Sequence, residues 1–438
     1  MKKSFYLAAL AVAVLSSCSS DPVVQPNAEV DNDLVPIELG LGTPLMSVTT
    51  RGTGTIGSTT ATDNHWRYER VRVLMTWIPD NVKEHAWGLT TRNEGDGDYY
   101  LFGNQFYCLP DEDQTGTSGG VALVPELNGD KTRYYPQSGN SNFFAYYVDD
   151  AIDTTTGDLQ SPVLVSGDQA PALHDREATA EEPAAKFVNF KMNGTQDIMA
   201  GMASHEENFT GFSARSARKG KNPHITMNHL LTRLTFKIIP GHENAKFIKV
   251  KSISVESPNE GELIVAYDAN TPKKENELIT WKTKEGTDSL KTDTFKLRSL
   301  KLNDEGLWYD KTAKTKNPLQ DTLVWFDLNK EFDWASLTGP YHYGDFEAKT
   351  IGHAMFVAPG QTTYPLHVVL DNTSTAQGFA DSHMDEDIIK YLKSGTTLLA
   401  GMSYEVTIVV YGLSEIKVYA TLTSWQNGGI INPVNADE

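Results

Sequence analysis

Few residues of this chain have the types and spacing that chemistry needs. Glu94, Asp96 and Asp98, with Asp111, Glu112 and Asp113, suggest a calcium site, but their spacing matches no standard calcium loop and a solvated acidic surface explains them better. His383 lies between Asp381 and Asp385 with no second histidine close by, so no metal-ligand set forms there. His229 abuts an apolar strand and reads as a structural contact. There is no nucleophile elbow, zinc-binding helix motif or phosphate loop, and the carboxylates are too numerous for one pair to stand out as acid and base. The expectation is no enzyme, no metal and no cofactor. What remains is chemistry done to the chain. Arg51 stands in Thr49-Thr50-Arg51-Gly52-Thr53-Gly54-Thr55, a run with no apolar period, and such loops are preferred sites of proteolysis. Arg215, Arg218 and Lys219 make a second basic stretch, read as linker, with a further cut site as its alternative.

The start of the chain bears on where this happens. Met1-Lys2-Lys3 precedes an apolar run over 5–15, too short for a bilayer, which needs about 20 apolar residues, and the flanks are those of a secretory signal. Leu15-Ser16-Ser17-Cys18 resembles a bacterial lipobox. That resemblance implies cleavage before Cys18, acylation of its thiol and attachment to the outer membrane through lipid. With Cys18 so used, Cys108 has no partner and no disulfide framework forms within one chain. The net charge of −19 argues against nucleic acid as a partner and against charge-driven docking on anionic lipid.

Positioning falls to strands. At 438 residues the chain is long enough for two or three cores. Residues 19–33 are polar, acidic and Pro-containing, the composition of a tether. Immediately after, Ile37, Leu39 and Leu41 alternate with Glu38 and Gly40, the period of a half-buried strand. Val71, Val73, Met75 and Trp77 share one face of the next strand, and residues 142–148 are aromatic on both faces, as in a central strand. Further period-2 runs are Leu234/Phe236/Ile238, Ile248/Val250 then Ile253/Val255, Leu366/Val368/Leu370, Tyr404/Val406/Ile408/Val410 and Ile416/Val418/Ala420/Leu422. Strands parted by Gly, Pro, Asn and Asp turns without helical periods indicate antiparallel sandwiches. Residues 384–393, with Met384, Ile388, Ile389 and Leu392, carry the one short helical pattern. The basic stretch 213–223, rich in Ser, Gly and Pro, is taken as a domain boundary.

Several segments together resemble the fimbrillin family, the type V pilins of Bacteroides-type bacteria. They are Gln196-Asp197-Ile198-Met199, Asn228 to Phe236, Val357-Ala358-Pro359-Gly360-Gln361, Ala400-Gly401-Met402-Ser403-Tyr404, and Ile416 through Gly429, with the lipobox and the Thr50-Arg51 step. The resemblance implies an all-β chain with two transthyretin-like Greek-key β-sandwich domains in tandem. It implies export as a lipoprotein, a trypsin-like protease that cuts after arginine and frees the first strand, and polymerisation with other fimbrial subunits outside the cell. The expected organisation is a signal peptide over 1–17, a lipidated tether with a removable first strand over 18–51, and sandwiches over 52–222 and 223–438. Cleavage is expected between Arg51 and Gly52, and the removable strand is carried by Ile37, Leu39 and Leu41. The donor of a replacement strand, C-terminal by the same resemblance, is either the stretch with Ile416, Val418 and Leu422 or the tail with Ile430, Ile431 and Pro433; sequence leaves both open. The expected role is a stalk or tip subunit of a fimbrium supporting adhesion to host or bacterial surface receptors. The alternatives are a lipid-anchored glycan-binding surface protein and a subunit that anchors the fimbrium.

Overall fold

A computed structural model describes residues 35–42, 70–78, 103–108, 121–125, 134–136, 138–148, 151–152, 159–160, 173–177, 179, 184–203, 211–268, 273–299, 309–310, 315–316, 322–323, 325–361, 363–372, 385–393, 397–413 and 415–423. Cys18, Arg51, Gly52, Ile430 and Ile431 lie outside the described residues, as do His383 and the acidic groups at 94–98 and 111–113.

The chain is all-β, as the alternating periods imply. Its first half supplies β1 (Leu39–Gly42), β2 (Arg70–Ile78), β3 (Gly103–Cys108), β4 (Val121–Pro125), β5 (Asn140–Val148), the short hairpin β6 (Ala151–Ile152) and β7 (Leu159–Gln160), β8 (His174–Arg176), β9 (Ala185–Lys191), β10 (Ile198–Ala203), the helix α1 (Ala214–Arg218) and β11 (His224–His229). In the order β1-β11-β10-β5-β2-β3-β4 these close a barrel, because β4 pairs back to β1. Only β1 and β11 run parallel; the other pairs of the ring are antiparallel. The double-sided aromatic character of β5 has a plain cause. Phe143, Ala145 and Tyr147 belong to one buried cluster, while Phe144, Tyr146 and Val148 belong to another. Leu74 on β2 joins the second cluster, and Val71, Val73 and Met75 the first. Packing on both faces selects apolar and aromatic side chains throughout residues 143–148.

The second half supplies β12 (Thr232–Pro240), β13 (Ile248–Pro258), β14 (Glu260–Ala266), β15 (Ile279–Trp281), β16 (Thr292–Lys296), then β17 (Arg298–Ser299), β18 (Tyr309–Asp310), β19 (Thr315–Lys316) and β20 (Thr322–Leu323), which make two short ladders. They are followed by β21 (Phe326–Asp327), α2 (Leu328–Glu331), β22 (Lys349–Val357), β23 (Thr363–Asn372), β24 (Asp385–Lys393), β25 (Ser403–Val410) and β26 (Ile416–Thr423). The sheet β22-β12-β25-β26 shares its core with the sheet β16-β13-β23-β24, to which β21 adds beside β13. Phe236, Val406 and Ile408 come from the first sheet, and Val250, Ile253 and Leu366 from the second. This is a sandwich built on alternate residues of facing strands. The step from Ile248/Val250 to Ile253/Val255 breaks the period by one, and a register shift between Val250 and Ser252 accounts for it: a bulge restores the inward face.

The expected boundary at 222/223 is crossed by ladders. β11, from the far side of it, closes the barrel, and β9 pairs with β14 in the sheet β15-β14-β9-β8. One buried cluster runs from Phe144 and Val188 to Val368 and Val406. Two local expectations are corrected. Residues 385–393 are strand β24, paired with β23 from Asp371↔Asp385 to Thr363↔Lys393, because a long partner strand outweighs a helical spacing of four apolar residues. The basic stretch at 213–223 contains a helix, α1, started by a capping box between Ser213 and Ser216.

Candidate functional site

The candidate site is the place of β1 in the barrel. The stretch Ile37-Glu38-Leu39-Gly40-Leu41 is short, β-branched and leucine-rich at alternate positions, and its central residue points into the barrel: Leu39 is 4% exposed. It joins a buried cluster with Val71, Val73, Met75, Phe143, Phe212, Ile225 and Met227, against which Val35 and Ile37 pack from the margin. On one side Gly40, Leu41 and Gly42 pair with His224, Ile225 and Thr226 of β11. On the other, Leu39, Gly40 and Leu41 pair with Leu123, Ala122 and Val121 of β4. Upstream, Pro36 bridges Tyr134, and the Tyr135 N–H donates to the Val35 carbonyl at 3.0 Å. Asn222 Nδ2 donates to Glu38 Oε2 at 2.8 Å. Burial, and then the Glu38 carboxylate, push the Tyr135 phenol well above its ordinary range, so it stays protonated through neutral pH. Its ring meets Phe143 edge-on at 6.2 Å.

Burying Leu39 contributes about 1.5–3 kcal/mol, and each ladder bond about 1 kcal/mol net. Withdrawing β1 leaves two facing strands, β4 and β11, with unpaired backbone groups beside an apolar slot, the template on which another strand adds.

Of the two donor stretches, Ile416 and Val418 lie in β26 and are buried in its own sandwich. β26 pairs with β25 along its whole length, from Val410↔Ile416 to Ser403↔Thr423, with Leu422 opposite Tyr404, and stands at the end of its sheet.

Four of the segments that carried the family resemblance, 196–199, 228–236, 357–361 and 400–404, meet around Leu230–Arg233. His229 Nδ1 lies 2.8 Å from Asp197 Oδ2, both fully buried, so His229 is the structural contact expected of it. The Arg233 N–H donates to the Met402 carbonyl at 2.9 Å, and the Gly401 N–H to the Leu231 carbonyl at 2.9 Å. The Gly360 N–H donates to the Leu398 carbonyl at 2.8 Å, and the Ala358 N–H to Ser257 Oγ at 2.9 Å. Burial pulls the Arg233 guanidinium down to about 10, an effect that the Asp197 carboxylate opposes. This buried polar joint escaped sequence reasoning. Its available signal was a charged residue beside each of two apolar segments, Asp197 before Ile198 and Arg233 between Thr232 and Leu234.

Among the described residues, no group of three or more His, Cys, Asp and Glu side chains could hold a metal ion, and no helix is long and apolar enough to cross a membrane.

No protein-family model and no curated protein matches this chain. Among solved structures it is similar to a candidate cell adhesion protein from Bacteroides uniformis, at 12% identity and a TM-score of 0.40 over 90% of this chain and 99% of that one. It is similar to the tip fimbrial protein Mfa3 from Porphyromonas gingivalis with C-terminal truncation, at 10% identity and a TM-score of 0.30 over 89% and 99%. It is also similar to a fimbrial protein from Bacteroides vulgatus, at 13% identity and a TM-score of 0.43, over 90% of this chain and 100% of the other.

Proposed function

We propose that this chain is a structural subunit, stalk or tip, of a cell-surface fimbrium that supports adhesion. It is exported as a lipoprotein acylated on Cys18, cut between Arg51 and Gly52 by a trypsin-like protease, and assembled with other fimbrial subunits by strand exchange. The observation that carries this reading is β1 itself: the first described strand closes the barrel, seats Leu39 in its core, and precedes Arg51 in the sequence. A cut after Arg51 separates the strand from the body and the body from its lipid. The energetics suit an exchange. Three or four apolar side chains give roughly 5–12 kcal/mol, and association costs about 4–15 kcal/mol. Like-for-like replacement is therefore nearly balanced, and loss of the tether tips it, because the freed segment no longer sits at high effective concentration. We propose the tail with Ile430 and Ile431 as the donor over Ile416–Leu422, since donation from β26 would strip Ile416 and Val418 from their own core.

Mutating Arg51 to Ala tests this. Surface-shed wild-type protein should begin at Gly52 and form SDS-resistant ladders, while Arg51→Ala should stay monomeric and anchored. Ladders from Arg51→Ala would refute the mechanism. A second reading, a lipid-anchored glycan-binding protein, draws on Trp325 and Tyr343, which are 60% and 59% exposed. It requires a mature start at acylated Cys18 together with measurable polysaccharide binding. A fimbrium-anchoring subunit also keeps its lipid, and the same N-terminal sequencing addresses it.

A further inference from the structure

The basic stretch at Arg215–Lys221 is held in an uneven way. Its upstream end is fixed to the barrel wall. Ser141 and Phe212 exchange backbone hydrogen bonds at 2.7 and 2.8 Å, and the Phe212 ring lies 5.8 Å from Phe143. From there the capping box starts α1, and the Lys219, Gly220 and Lys221 N–H groups close its end on the Ser216 and Ala217 carbonyls at 2.8–3.0 Å. The downstream end is fixed to β1. Asn222 donates to Glu38, and the ladder partner of His224 among the described residues is Gly40; β11 pairs with β10 only from Ile225 onward. Ala214 and Ala217 pack on the same buried cluster as Leu39, Val35 and Ile37. A helix of five residues has no stability of its own. Its order comes from these two ends.

Arg215, Arg218, Lys219 and Lys221 are all exposed. Endopeptidases take their substrates as extended chain, and in α1 and its closing turn the backbone is coiled. Access therefore depends on local opening. We propose that Arg215–Lys221 is a second processing site for an arginine- or lysine-specific endopeptidase, closed while β1 is seated and opened when β1 leaves. The step is hydrolysis: water adds across a peptide bond such as Arg218–Lys219, the carbonyl carbon gaining the hydroxyl and the nitrogen the proton. The inference rests on the reading of β1 as a removable strand.

The test uses the full chain carrying Arg51→Ala, so that the first cut is absent, with trypsin as the probe and fragment masses as the readout. The exposed hairpin lysines Lys282 and Lys284 serve as an internal reference. In the Arg51→Ala chain, cutting at 215–221 should be slow. Adding Leu39→Ser, which unseats β1, should speed it about tenfold with the reference rate unchanged, because cutting follows the open population. If Leu39→Ser also speeds the reference, the paired change Glu38→Ala with Asn222→Ala decides, with about a threefold increase expected at 215–221 alone. Equal rates at 215–221 with and without these changes would overturn the proposal. So would a rate at 215–221 that already matches the reference in the Arg51→Ala chain. Neither result bears on whether Arg51→Ala assembles, so this inference and the fimbrial reading fail separately.

Discussion

Tyr135 shows how one side chain can report on a strand. Its phenol is held well above an ordinary tyrosine by burial and by Glu38 of the β1 approach. A group whose folded pKa is raised binds its proton more tightly in the native state. Its contribution is therefore complete below about pH 10, the unfolded tyrosine value, and is lost as pH rises beyond it. Burial raises Tyr364 and Tyr404 as well, and pushes Tyr341 up to about 12. Arg233 acts in the opposite sense, since its guanidinium, lowered to about 10, favours folding as pH climbs through that range. Four phenols against one guanidinium give a net loss. Urea midpoints should hold level up to about pH 10 and fall between about pH 10 and 12, with tyrosinate absorbance rising alongside unfolding. Tyr135→Phe should make that fall shallower. A Tyr135 that titrates near 10 in the intact chain would mean that β1 does not cover it.

Neighbouring strands constrain one another as tightly as side chains do. Gly201 of β10 faces β11 so closely that an added Cβ would come 1.9 Å from the Thr226 carbonyl oxygen. Backbone cannot give way as a flexible side chain can, so Gly201→Ala must push β11 off β10, and Thr226 is the residue opposite Gly42 of β1. The change should cost about 1–3 kcal/mol and raise amide exchange in β1 and β11 more than in β12 or β25. Uniform exchange would argue against a shared ring. The same scale explains what sequence made legible. β5 declared its two packed faces through Phe143 and Phe144, and the bulge in β13 was visible as a one-residue slip between Val250 and Ile253. β24 misled because Ile388, Ile389 and Leu392 fit a helical stripe, and the spacing within the segment carries no sign of its pairing with the preceding strand, β23. Leu39 could be read as inward-facing from its alternation. That it would sit between β4 and β11 could not, since both neighbours are distant in sequence. The coupling of α1 to β1 was hidden for the same reason.

Across the molecule, the halves are joined by more than a linker. Leu263 and Ile264 of β14 pair with Val188 and Phe187 of β9, and all but Phe187 lie in the common core. A fragment of residues 223–438 would lose β9 and would carry β11 without its barrel partners. It should bind ANS and show no cooperative thermal transition, while the full chain shows a cooperative one. A fragment as cooperative as the whole would restore 222/223 as a true border.

A ring of strands has no loose margin from which to peel. β1 is gripped on both flanks, by a parallel companion and an antiparallel one. Any guest that takes its berth must therefore satisfy two differently oriented hosts at once, and a partial fit would leave a seam through which water reaches the lining. Fidelity in choosing a successor would then come from topology, before any side chain is compared.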